Sequence, residues 1–98
     1  MNTSHPPYDS LEAIILDAHL KILQVDFRTA TNGMIIHLNS GKTIECPINL
    51  TPVLQDATND QLVNYTIIAN GTGIHWPLLD EDISLKSLLR MAIEKQII

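Results

Sequence analysis

The sequence predicts an α+β fold in a small single domain: a three-strand antiparallel meander plus a second short hairpin, with N-terminal and C-terminal helices packed on the sheet. Three observations carry this prediction. Residues 23–48 alternate apolar and polar side chains with a period of two, in three runs separated by turn residues. Asn70-Gly71 separates two further short runs. Segments near each end space their apolar residues as helices do. Strands grouped together and flanked by helices favour an antiparallel sheet covered on one face.

Residues 1–8 read as a flexible leader, because 1–7 are polar and end in Pro6-Pro7; residues 9–98 read as one domain. At 98 residues such a domain buries roughly 65% of the surface its unfolded chain exposes, so a second core is not available. Asp9 or Ser10 can cap a helix over 10–18, with Glu12 in its first turn and Leu11, Ile14, Ile15 and Ala18 on one face. Leu23, Val25 and Phe27 then alternate with Gln24, Asp26 and Arg28. Met34, Ile36 and Leu38 alternate with Ile35, His37 and Asn39, and Ile44, Cys46 and Ile48 with Thr43, Glu45 and Pro47.

Turn parity tests these pairings, since directly opposed residues share a face of the sheet. A two-residue Asn32-Gly33 loop sets Phe27 against Leu38 and Thr29 against Ile36. A two-residue Ser40-Gly41 loop would set Ile36 against Glu45, mixing core with solvent. A three-residue loop with Gly41 at positive φ instead pairs Ile36 with Ile44, Met34 with Cys46 and Ile35 with Glu45, and is preferred. Pro47, which cannot donate to a ladder, belongs at the end of an edge strand, and Pro52 marks a break. Thr58 caps a helical turn reaching about Tyr65, with Leu62 and Val63 inward. An Asn70-Gly71 loop pairs Ile67 with Ile74 and Tyr65 with Trp76, and Gly71 is a turn residue rather than part of a phosphate loop. The last helix begins near Asp82 or Ser84. Asp80, Glu81 and Asp82 lie at its positive end, and Leu85, Leu88, Leu89, Ala92 and Ile93 form its buried stripe.

Charge limits the partners. The net charge is −5, and the six Lys and Arg are scattered, so no basic patch is available to neutralise phosphates; direct nucleic-acid binding is not expected. An acidic chain is better matched to a small basic protein, and a homodimer is also compatible. The single cysteine, Cys46, excludes an internal disulfide and fits a reducing, cytoplasmic setting. No run is long and apolar enough to span a membrane.

The densest segment is Gly73-Ile74-His75-Trp76-Pro77-Leu78-Leu79-Asp80-Glu81-Asp82-Ile83-Ser84-Leu85. Strand alternation sends Ile74 and Trp76 to the core and His75 outward, opposite Thr66. A catalytic role for His75 would need a neighbouring nucleophile, and Cys46 is predicted to face inward. Consecutive acids do not reproduce the spaced carboxylates of a calcium loop, and the four histidines with Cys46 show no zinc spacing, so no metal or cofactor is expected. Ile74, Trp76, Gly41, Gly71 and Pro77 are therefore read as structural anchors. His75, Asp80, Glu81 and Asp82, with the outward Ile35 and His37, are the candidate partner-binding residues.

The runs Leu38-Asn39-Ser40-Gly41-Lys42-Thr43-Ile44, Leu50 through Leu54, Ala57-Thr58 and Gly73 through Ser84 resemble the bacterial domain-of-unknown-function family 2442 (DUF2442) over about residues 20–90. The closing Ile-His-Trp followed by Leu-Asp-Glu-Asp-Ile-Ser is the specific part. The resemblance implies a small bacterial α+β protein with no catalytic residues to carry over. It also implies a role beside a short companion protein in a toxin–antitoxin-like arrangement, with this chain as a non-enzymatic, antitoxin-like inhibitor. Some family members carry a helix-turn-helix domain, which this chain has no room for. The alternative it implies is a transcription-associated regulator or adaptor working with a separate DNA-binding protein.

Overall fold

The structure, a computed structural model, describes residues 10–97. The leader and the Asp9 cap lie outside the described residues. In chain order the elements are α1 (Ser10–Asp17), β1 (Ile22–Arg28), β2 (Gly33–Leu38), β3 (Thr43–Pro47), α2 (Pro52–Gln55), α3 (Asn59–Val63), β4 (Thr66–Ile68), β5 (Gly73–Trp76), β6 (Glu81–Ser84) and α4 (Leu85–Ile97). They form two three-stranded antiparallel sheets, ordered β1-β2-β3 and β4-β5-β6. The α+β prediction holds, and the second hairpin gains a third strand.

The β2–β3 ladder has the expected register, with Ile36 opposite Ile44, Met34 opposite Cys46 and Ile35 opposite Glu45. Gly41 takes φ +89°, and Leu38 N–H donates to the Lys42 carbonyl at 3.0 Å to close the three-residue loop. Pro47 ends β3, an outer strand, as expected. The β1–β2 register differs by four residues: Phe27 faces Met34 rather than Leu38. The turn is a 3-10 segment, Thr29–Thr31, closed by Asn32 in the left-handed region (φ 55°), so Gly33 already belongs to β2. A shift of four keeps every side chain on its predicted face. A bulge between Ile22 and Gln24 gives Ile22 the core position and turns Leu23 out to 60% exposure, which corrects its predicted burial.

Thr58 and Gln61 form the reciprocal cap of α3, each side chain accepting from the other's backbone N–H (3.2 and 2.9 Å). Pro52 does not break structure; capped by Thr51, it opens α2, where its missing N–H has no helical partner to lose. Leu62 is buried, but Val63 is exposed, as are Ile14 on α1 and Ile93 on α4. These three predicted core positions lie on the sides of their helices turned away from the core. The β4–β5 register matches the prediction at Ile67 and Ile74.

One core joins both sheets, built on Met34, Ile36, Ile44, Leu54, Ile74, Trp76, Leu85 and Leu88. Helix α4 packs against β3, against β6 and against α1, where Lys86 Nζ meets Glu12 Oε1 at 2.8 Å. Strand β1 approaches β4 without a ladder. In place of backbone pairing, the Tyr65 hydroxyl accepts from Val25 N–H at 2.9 Å and donates to Val25 C=O at 3.3 Å. The Phe27 and Tyr65 rings meet edge to face across this seam, with centroids 5.9 Å apart. Lys21 lies over Gly71, whose φ of +90° and missing Cβ admit it.

Candidate functional site

The segment from Gly73 to Leu85 folds as strand, corner and strand. Trp76 is fully buried, and its indole N–H donates to the Leu62 carbonyl at 3.0 Å, so the ring is both core mass and a tie to α3. Ile74, also fully buried, faces Ile83. Pro77 ends β5, and the chain turns through Leu78 and Leu79 to Asp80, which adopts φ +50°. Asp has a short side chain that tolerates the left-handed region better than most.

The acids do not form the predicted helix start. Glu81, Asp82, Ile83 and Ser84 make β6, and α4 begins at Leu85 with no acid in its first turn. The helix start is served instead by Ser84, whose hydroxyl accepts from Ser87 N–H at 3.1 Å. Four residues that alternate around a β-branched Ile83 can pair with β5, and that pairing satisfies backbone groups which a helix terminus would leave open. The three acids are thereby separated. Asp80 sits exposed at the corner, Glu81 shares the core-side alternation of Ile83 at the rim beside Trp76, and Asp82 points outward opposite His75.

His75 Nδ1 bonds to Asp82 Oδ1, with the two side chains 31% and 65% exposed. A carboxylate can only accept, so the imidazole donates from Nδ1. The nearest cross-strand hydroxyl, Thr66, is turned to the His75 carbonyl at 3.5 Å. His75 is outward and opposite Thr66 as alternation required; its carboxylate partner became visible only with β6.

The second outward cluster lies on the meander. His37 Nε2 and Asp26 Oδ2 are 2.7 Å apart, and Asp26 Oδ1 accepts from Gln24 Nε2 at 2.9 Å. The Gln24 bond, followed by the His37 bond, holds the Asp26 carboxyl below its usual value by stabilising the charged form. Ile35 lies directly between Asp26 on β1 and Glu45 on β3, so one apolar side chain is flanked by two carboxylates in a row across three strands. Asp26 was missed from sequence because the predicted register placed Arg28, not Gln24, opposite His37; the observed shift is what brings Asp26 beside the imidazole. The predicted partner-binding residues thus fall into two groups, Ile35 and His37 on one sheet and His75 and Asp82 on the other, with Asp80 and Glu81 apart from both. Among the described residues no group of three or more His, Cys, Asp or Glu is placed to hold a metal ion. No described helix is long and apolar enough to cross a membrane.

Two antiparallel sheets with open, carboxylate-bearing outer faces around one shared core define a small α+β domain class. The chain belongs to the family of proteins of unknown function DUF2442, whose family model matches residues 22–94. It is similar to a protein of unknown function from Rhodospirillum rubrum, with a TM-score of 0.66 and 30% identity over 74% of this chain and 87% of that one. An uncharacterised protein from Chromobacterium violaceum shares the fold, with a TM-score of 0.67 and 20% identity over 92% of this chain and 85% of that one. No curated protein matches the chain.

Proposed function

We propose that this chain is a non-enzymatic protein-interaction domain, an antitoxin-like inhibitor whose partner is a small basic protein. The observation that carries the reading is the open outer face of the meander, where Asp26, Ile35 and Glu45 line up across three strands of a chain with net charge −5. Such a row suits an arginine or lysine, whose aliphatic stem covers an apolar side chain while its cation reaches a carboxylate. The resemblance to the family implies a short companion protein, and the acidic charge of this chain suits a basic one. The His75–Asp82 pair supports binding rather than turnover, because the hydroxyl opposite it is engaged with backbone and no thiol is near: Cys46 is buried in the core.

The test is co-expression of the tagged chain in its native host followed by pull-down at low and at raised salt. A basic protein retained in stoichiometric amount, and released as salt rises, is the expected result. Recovery of no protein, or of an acidic one, overturns the reading. A retained partner that carries a DNA-binding module would instead establish the adaptor role.

A further inference from the structure

We infer that the groove beside the outer edge of β3 is a docking site for an extended basic segment of the protein partner. This inference rests on the interaction reading above and assigns it a place. The groove holds about 860 Å³ and lies between the second half of β3, the start of β2 with the turn that leads into it, and the 91–94 stretch of α4. Met34, Pro47 and Met91 give it an apolar lining, Ile35 continues that surface toward the outer face, and Glu45 and Glu94 stand along it.

The backbone supplies the second element. Among the described residues, strand β3 pairs with β2 on one side and with no strand on the other. The Leu38 to Lys42 bond at the turn fixes the alternation of the ladder, so Ile44 and Cys46 direct their backbone groups to β2. Thr43 and Glu45 therefore present N–H and C=O away from β2, and Pro47 a C=O, with Glu45 and Pro47 at the groove. The other side of this sheet is closed differently, since the Tyr65 hydroxyl occupies both Val25 backbone groups on the outer edge of β1. The β1 edge is bridged to the second sheet at Val25, whereas the β3 edge meets an apolar trough.

Charge complementarity selects the occupant. A strand added to β3 alternates its side chains, one set entering the trough and the other facing outward. Glu45 and Glu94 favour cations at the rim, while Arg28 at the far end disfavours a uniformly cationic chain and orients it. An extended segment alternating basic and aliphatic residues fits both demands.

The experiment is an NMR titration of the labelled full chain at low salt with a blocked hexapeptide alternating arginine and valine, and with its glutamate-valine counterpart. The expected result is saturable shifts at the Thr43 and Glu45 amides and the Met34 and Met91 methyls with the arginine peptide alone. The double substitution Glu45→Lys with Glu94→Lys weakens that binding about tenfold while amides elsewhere keep their positions. Absence of saturable shifts, equal response to both peptides, or shifts centred on His75 and Asp82 overturns the assignment. Concentration-dependent shifts at the same residues without peptide overturn it in favour of a second copy of this chain. The two proposals fail separately. If the host partner is retained equally by the wild-type chain and the double variant, the groove is wrong and the interaction reading stands; if the wild type retains nothing, that reading falls while the titration still decides the groove.

Discussion

Replacing Tyr65 by Phe removes one oxygen and leaves the ring, including its edge-to-face contact with Phe27, in place. That oxygen makes two hydrogen bonds to Val25, at 2.9 and 3.3 Å, in a part-buried setting. Each net bond contributes about 0.5–1.5 kcal/mol, so the substitution destabilises by about 1–3 kcal/mol, with Val25 N–H and C=O left unpaired at the seam. For a domain of this size about 2 kcal/mol corresponds to roughly 8–16 °C in Tm. The assay is urea denaturation of both proteins, with amide hydrogen exchange read at Val25. The expected outcome is a lower midpoint at unchanged slope, together with faster exchange at Val25 than at residues of the β2–β3 ladder. A loss below about 0.5 kcal/mol with Val25 exchange unaltered would refute the view that this hydroxyl joins the sheets.

Gly71→Ala should cost more stability than Gly41→Ala in the same denaturation assay. Both residues hold positive φ, a strain of about 1–2 kcal/mol for an L side chain, but a Cβ at Gly71 would lie 2.6 Å from Lys21 Cβ whereas none of the surrounding atoms lies within 4 Å of one at Gly41. Thr58→Ala removes half of the α3 capping box and should cost about 1 kcal/mol, whereas Thr58→Ser should restore most of it. The depressed Asp26 carboxyl stabilises the fold above the ordinary carboxylate value of about 3.9, and that contribution disappears as pH falls through its lower folded value. Asp26→Asn should therefore flatten the acid limb of a stability-versus-pH curve; an unchanged limb would show that Gln24 and His37 do not hold the charge.

Local chemistry made some of this fold readable in advance, and geometry hid the rest. The β2–β3 pairing was legible because only one loop length around Gly41 keeps Ile36 opposite an apolar residue. The β1–β2 turn was not, because an Asn-Gly pair fits a two-residue loop as well as it fits a 3-10 turn ending at Asn32, and a four-residue slip preserves every facing. Strand β6 was concealed by its shortness: one core residue, Ile83, between acids that suit a helix start equally well. The candidate site inherited these errors. Alternation sufficed to turn His75, His37 and Ile35 outward, but Asp82 and Asp26 reach their histidines only through the strand and the register that sequence left open. Tyr65 carried no signal, since its bonds go to backbone forty residues away.

Helix α4 touches both outer strands, β3 and β6, and inserts Leu85 and Leu88 into the core they share. This has a consequence for biosynthesis. A ribosome delivers both sheets before the element that covers them, so their apolar faces wait uncovered until α4 emerges. During that interval the nascent chain presents Ile36, Ile44 and Trp76 to whatever is nearby, and holding by a chaperone would act on that half-finished surface. Synonymous changes that slow translation of the α4 codons should lengthen the exposure and lower soluble yield while leaving the amino-acid sequence, and the stability of the finished protein, untouched.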